Sequence, residues 1–167
     1  MYRDMYRNAR LAAVGACSVL ALSLSPAAAF ADDGDDLIDA SLTPSNIHDP
    51  AINGVAPGGV PWIIDRGEVR VRDDGRMDVR IEGLQVPAPD GSASNPVASI
   101  NAVLYCGGMA VADSGPHPLS VPDGDARFRV RLAVPRHCDM ATVLISPTPL
   151  VGQRFIASAV ADDEDDD

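Results

Sequence analysis

Residues 67–83, GEVRVRDDGRMDVRIEG, restrict the fold more than any other stretch, because two arms alternate apolar and charged residues around Asp73-Asp74-Gly75. A period of two belongs to β-strands with one buried face, and Asp-Asp-Gly is turn chemistry, so the stretch reads as a hairpin. A three-residue connection with Gly75 at the left-handed position sets Val71 opposite Met77, Val69 opposite Val79, Arg70 opposite Asp78 and Glu68 opposite Arg80. A two-residue Asp74-Gly75 turn would instead put Val71 across from Asp78 and mix the faces. Charge pairs of this kind contribute at most about 0.2–1 kcal/mol each, against roughly 1.5–3 kcal/mol for burying a large apolar side chain, so the valine face sets the register. The arginines then read as a solvated sheet face rather than a binding patch.

The rest of the chain repeats this grammar. Val97–Cys106 should be a strand with Ala98, Ile100, Ala102, Leu104 and Cys106 facing inward, followed after Gly107-Gly108 by a short partner at Met109–Ala112. Leu119–Val121 fits a short edge strand. Ala126–Val134 alternates, with Phe128, Val130, Leu132 and Val134 inward and Arg127, Arg129 and Arg131 outward. Thr142–Ile145 is a continuous apolar run suited to a strand covered on both faces, and Gln153–Val160 supplies the last strand. Val60–Ile64 should lead into the hairpin as a further strand. Helical periodicity is nearly absent, and Gly, Pro and Asp mark the connections. These features predict an all-β chain, an antiparallel immunoglobulin-like β-sandwich of about 7–9 short strands, with an open barrel of two hairpins as the alternative.

The ends read differently. Arg3, Arg7 and Arg10, the apolar Leu11–Leu24 run and Ala29-Phe30-Ala31 have the order of a secretory signal peptide, so residues 1–31 are expected to be removed after Ala31. Cys17 falls too early in the apolar run for a lipid-anchored cysteine. No other stretch has the roughly 20 apolar residues that span a bilayer, which predicts a mature chain with no membrane span. Residues 32–59, rich in Asp, Pro and Gly, are expected to be a disordered acidic arm, residues 60–161 the sandwich, and residues 162–167 an acidic tail. The mature chain would carry 10 arginines, no lysine and 23 acids, a balance of −13, and 11 of those acids crowd the two ends. Such a chain lacks the basic stripe that nucleic acid or an anionic membrane demands. Cys106 and Cys138 are the thiols left after cleavage, and in an exported chain they should pair.

The Trp62–Gly83 stretch, the Leu104-Tyr105-Cys106-Gly107-Gly108 segment and the Pro135–Cys138 turn resemble uncharacterised exported proteins of high-GC Gram-positive bacteria over about a hundred residues. The architecture is also distantly similar to chordin-repeat domains, on topology alone. Neither likeness brings catalytic residues, so neither implies an activity.

Residues that could carry chemistry are few. His48, His117 and His137 stand on separate loops, whereas a zinc or copper site needs several ligands, some closely spaced. His117 with His137 is the metal reading; loop histidines without chemistry is the plainer one. No G-x-S-x-G, S-x-x-K or H-E-x-x-H occurs, and Gly54, Gly58 and Gly59 lack the helix that a phosphate loop precedes. Asp73-Asp74 and Asp123 with Asp125 fall at Asp-Gly turns, whose backbone geometry accounts for them. Trp62 is the candidate contact aromatic, and its neighbours Ile63 and Ile64 argue for packing. The sequence therefore reads as a secreted, disulfide-stabilised module without enzymatic activity or cofactor, meeting an unidentified envelope or extracellular partner. Its rivals are a weak calcium-dependent adhesion or matrix module using Asp123, Asp125 or the acidic ends, and a metal-dependent enzyme built on His117 or His137.

Overall fold

The structure is a computed structural model and describes residues 35–161. The expected signal segment and acidic tail lie outside the described residues. In chain order the strands are β1 (Asp36–Ser41), β2 (Thr43–Pro44), β3 (Ala56–Pro57), β4 (Arg66–Arg72), β5 (Arg76–Glu82), β6 (Val86–Pro87) and β7 (Ala93–Ser94). They continue with β8 (Ser99–Cys106), β9 (Met109–Asp113), β10 (His117–Pro118), β11 (Ala126–Arg131), β12 (Thr142–Pro147), β13 (Arg154–Phe155) and β14 (Ala157–Val160). A single 3-10 turn, Thr148–Leu150, interrupts them.

Two antiparallel sheets hold the long strands. One runs β1-β4-β5-β11; the other runs β10-β8-β12-β14-β2, with β9 continuing the same edge of β8 that β10 occupies. The β4–β5 register matches the charge argument, with Val71 opposite Met77, Val69 opposite Val79, Arg70 opposite Asp78 and Glu68 opposite Arg80. Gly75 has φ +85°, and a side chain there would put its Cβ 2.1 Å from the Leu132 carbonyl oxygen. Only glycine suits that corner.

One apolar core lies between the sheets. Val69, Val71, Met77, Val79 and Ile81 from the first sheet meet Ile100, Ala102, Leu104, Val143, Ile145, Ala157 and Ala159 from the second. The second sheet is also covered on its back, where Val103, Tyr105, Leu144, Phe155 and Val55 form a smaller cluster. β12 is therefore buried along its whole length, as its unbroken apolar run requires. The same cover explains why β8 buries both faces from Ile100 to Cys106, although the sequence assigned only its even positions to the core. Ala98 precedes the strand and is exposed.

Cys106 and Cys138 are disulfide-bonded, with Cα atoms 4.8 Å apart. The bridge ties the end of β8 to the passage from β11 to β12, and the Gly107 N–H donates to the Asp139 carbonyl beside it (2.8 Å).

Within the stretch expected to be a disordered arm (residues 32–59), residues 36–44 instead contribute a strand to each main sheet, and β3 pairs with β13. β1 pairs with β4 and β2 with β14. Ile38 and Leu42 are buried, and Asp39 lies opposite Arg70, which pairs with both Asp36 and Asp39. Asp36 and Asp39, two of the aspartates that gave this stretch the composition of a tail, are exposed on β1, where a bulge between Asp36 and Ile38 brings both beside Arg70. Three smaller expectations also shift. Val60–Ile64 forms no strand, with Ile63–Gln85 an isolated bridge, the edge strand falls at His117–Pro118 rather than Leu119–Val121, and Gln153–Val160 is split into β13, which pairs with β3, and β14 in the second sheet.

Candidate functional site

A cleft of about 490 Å³ opens at the end of β8 away from the disulfide. The loop 58–62, the entry to β8 and the segment following β12 form its walls. Trp62, Val97, Ala98, Pro149, Leu150 and Ile156 are among its apolar lining residues, and Arg154 is the charged one. Prolines on this wall fix φ and offer no N–H, so the backbone around the cleft is stiff and presents carbon.

Ser45, buried to 1% exposure, holds the cleft together. Its hydroxyl donates to the Phe155 carbonyl (3.2 Å) and accepts from the Gly58 N–H (3.3 Å). Its own N–H donates to the Ile156 carbonyl, and its carbonyl accepts from the Trp62 N–H, both at 2.9 Å. Four connections through one small residue fix Trp62, Gly58 and Ile156 relative to one another. A cap on the sheet end is set by Ser99 and Thr148, whose hydroxyl oxygens lie 2.6 Å apart. Arg154 donates from Nη1 to the Pro57 carbonyl (2.9 Å), which places its guanidinium at the rim.

Trp62 is only 6% exposed, so it is a wall of the cleft and not an exposed platform. Its Nε1–H has no hydrogen-bond partner and is buried against Gly58, where an added Cβ would sit 2.7 Å from Nε1. An unpaired buried donor costs about 1–3 kcal/mol, and Trp N–H groups normally find an acceptor when buried.

The histidines are not brought together. His117 on β10 stacks on Phe128 of β11, with centroids 3.8 Å apart and planes 3° from parallel, and its Nε2 lies 3.3 Å from the Ser114 carbonyl oxygen. That stack spans the open edge between the two sheets. His137 is exposed on the loop beside Cys138, and His48 lies in the turn before Ile52. Among the described residues no group of three His, Cys, Asp or Glu side chains is placed to hold a metal ion. Asp125 accepts the Gly83 N–H through Oδ1 (2.9 Å), while its own N–H donates to the Ser120 hydroxyl oxygen (2.8 Å), so its carboxylate serves the turn.

The outward face of the first sheet carries Arg66, Arg70, Arg72, Arg76, Arg80, Arg127, Arg129 and Arg131. Carboxylates are interleaved with them. Arg66 pairs with Glu68 (2.7 Å), Arg80 with Glu82 (2.5 Å), Arg129 with Asp78 and Arg131 with Asp74 (3.0 Å). The neighbouring carboxylates hold the Arg66 and Arg70 guanidiniums above their usual pKa, first through the hydrogen bonds these donate to Glu68 and Asp39. These exposed pairs are each worth about 0–1 kcal/mol, and they leave the face close to neutral.

Sequence reasoning singled out Trp62 but missed Ser45 and Arg154. Ser45 sits in a Pro-Ser-Asn run that looks like loop, and only its partners from residues 58, 62, 155 and 156 reveal its place. Comparison with protein families, curated proteins and solved structures found no match.

Proposed function

We propose that this domain is an exported, non-catalytic binding module and that the Trp62 cleft is its contact site. The observation that carries the reading is a preformed apolar cavity with a stiff, proline-rich wall, in the size range of small-molecule sites. Export is supported by the leader pattern ahead of Asp32 and by the Cys106–Cys138 bridge, since disulfides persist in oxidising compartments. The histidines and carboxylates lie apart, so the titratable groups do not converge on the cleft as a general acid–base pair would. A calcium-dependent adhesion role has less behind it, because the Asp125 carboxylate is already bound to the Gly83 N–H.

The test compares the wild-type protein with Ala98→Trp, which fills the cleft from an exposed wall position and leaves the core untouched. Protein recovered from the culture medium is extracted with organic solvent, and the extract is analysed by mass spectrometry. An apolar molecule released by the wild type and absent from Ala98→Trp supports the reading. Identical extracts from the two proteins, with both folded by circular dichroism, would remove it.

A further inference from the structure

We infer that the ligand of this cleft is a small apolar molecule bearing one carboxylate, with its body along Trp62, Val97 and Leu150 and its anionic group on the Arg154 guanidinium. The inference rests on the cleft being the contact site and adds the ligand's chemical class. Among the described residues Arg154 is the only charged one lining the cavity, and no carboxylate lines it. Among the described residues Arg154 has no ion-pair partner, and its hydrogen bond to Pro57 uses one of its five N–H groups. On the sheet face, by contrast, Arg66, Arg80, Arg129 and Arg131 meet carboxylates of the chain's own. A guanidinium fixed at the mouth of an apolar cavity matches a carboxylate in charge and in planar geometry. A guanidinium asks for oxygen acceptors and does not suit a cation.

Trp62 is the chain's single tryptophan, so its fluorescence reads the cleft directly. The purified protein is titrated with decanoate, decanol and decyltrimethylammonium, each below its micelle concentration. Decanoate should bind about tenfold more tightly than decanol, the increment expected of a charge-assisted hydrogen bond. Arg154→Gln should weaken decanoate by about tenfold and leave decanol unchanged, while Arg154→Lys should keep part of the preference. Equal binding of decanoate and decanol, unaltered in Arg154→Gln, would overturn the carboxylate assignment and leave the cleft standing as the contact site. Preference for the cation would overturn it too. No saturable change with any of the three would remove the cleft and this inference together. Should Arg154→Gln fail to fold, the wild-type ratio of decanoate to decanol decides the question.

Discussion

Reducing the Cys106–Cys138 bridge should lower the thermal midpoint by roughly 14 °C, a figure that follows from loop length and domain size. The bridge joins residues separated by 32 in sequence. In the chain-entropy treatment a loop of that length removes about 3.7 kcal/mol of freedom from the unfolded chain. Unfolding entropy is about 2.1 cal/mol/K per residue, so the 127 described residues carry about 0.27 kcal/mol/K, and dividing one figure by the other gives the shift. The loop encloses β9, β10 and β11, which cross from the second sheet to the edge of the first, so its closure restrains contacts that are distant in sequence. The assay is a circular dichroism melt with and without a phosphine reductant, alongside Cys106→Ala/Cys138→Ala. Cys106 is 8% exposed and packs in the main core, so the double variant should melt slightly below the reduced wild type. A shift under about 5 °C in both would refute the reasoning, because it would mean that the unfolded chain is already restricted without the bridge.

Two further outcomes test the fold. Gly75→Ala should destabilise by at least about 2 kcal/mol in urea unfolding, because it adds left-handed backbone strain to a Cβ that would lie 2.1 Å from the Leu132 carbonyl; a change below 0.5 kcal/mol, taken as roughly the scatter of neutral surface substitutions, would contradict the turn. Burial, and Asp113 as the lesser cause, raises the Tyr105 phenol above its ordinary value of 10.0. Below that value the phenol is neutral in both states and contributes no pH dependence; above it the unfolded chain releases the proton first, so stability falls as pH rises. Denaturant unfolding at about pH 9 and about pH 11 should show that loss in the wild type and less of it in Tyr105→Phe.

The alternation in residues 67–83 was enough to place the cross-strand pairs from Glu68–Arg80 to Val71–Met77 of the β4–β5 hairpin, because a slip by one residue would turn Val69, Val71, Met77 and Val79 out of the core together. Thr142–Ile145 likewise declared itself buried on both faces. Composition misled where the outward half of a strand was acidic: Asp36 and Asp39 looked like a tail until Arg70 was placed beside them.

The sequence by itself determined the all-β character, the hairpin register and the pairing of the two cysteines, since each depends on spacing along the chain or on which residue types remain. Tertiary structure alone decided that Ser45 would fasten Gly58, Trp62, Phe155 and Ile156 around one cavity and that Arg154 would stand at its rim. Those contacts join residues as far apart in sequence as Ser45 and Ile156. Local periodicity carries no record of such distances, because they are fixed only when two sheets close over a shared core.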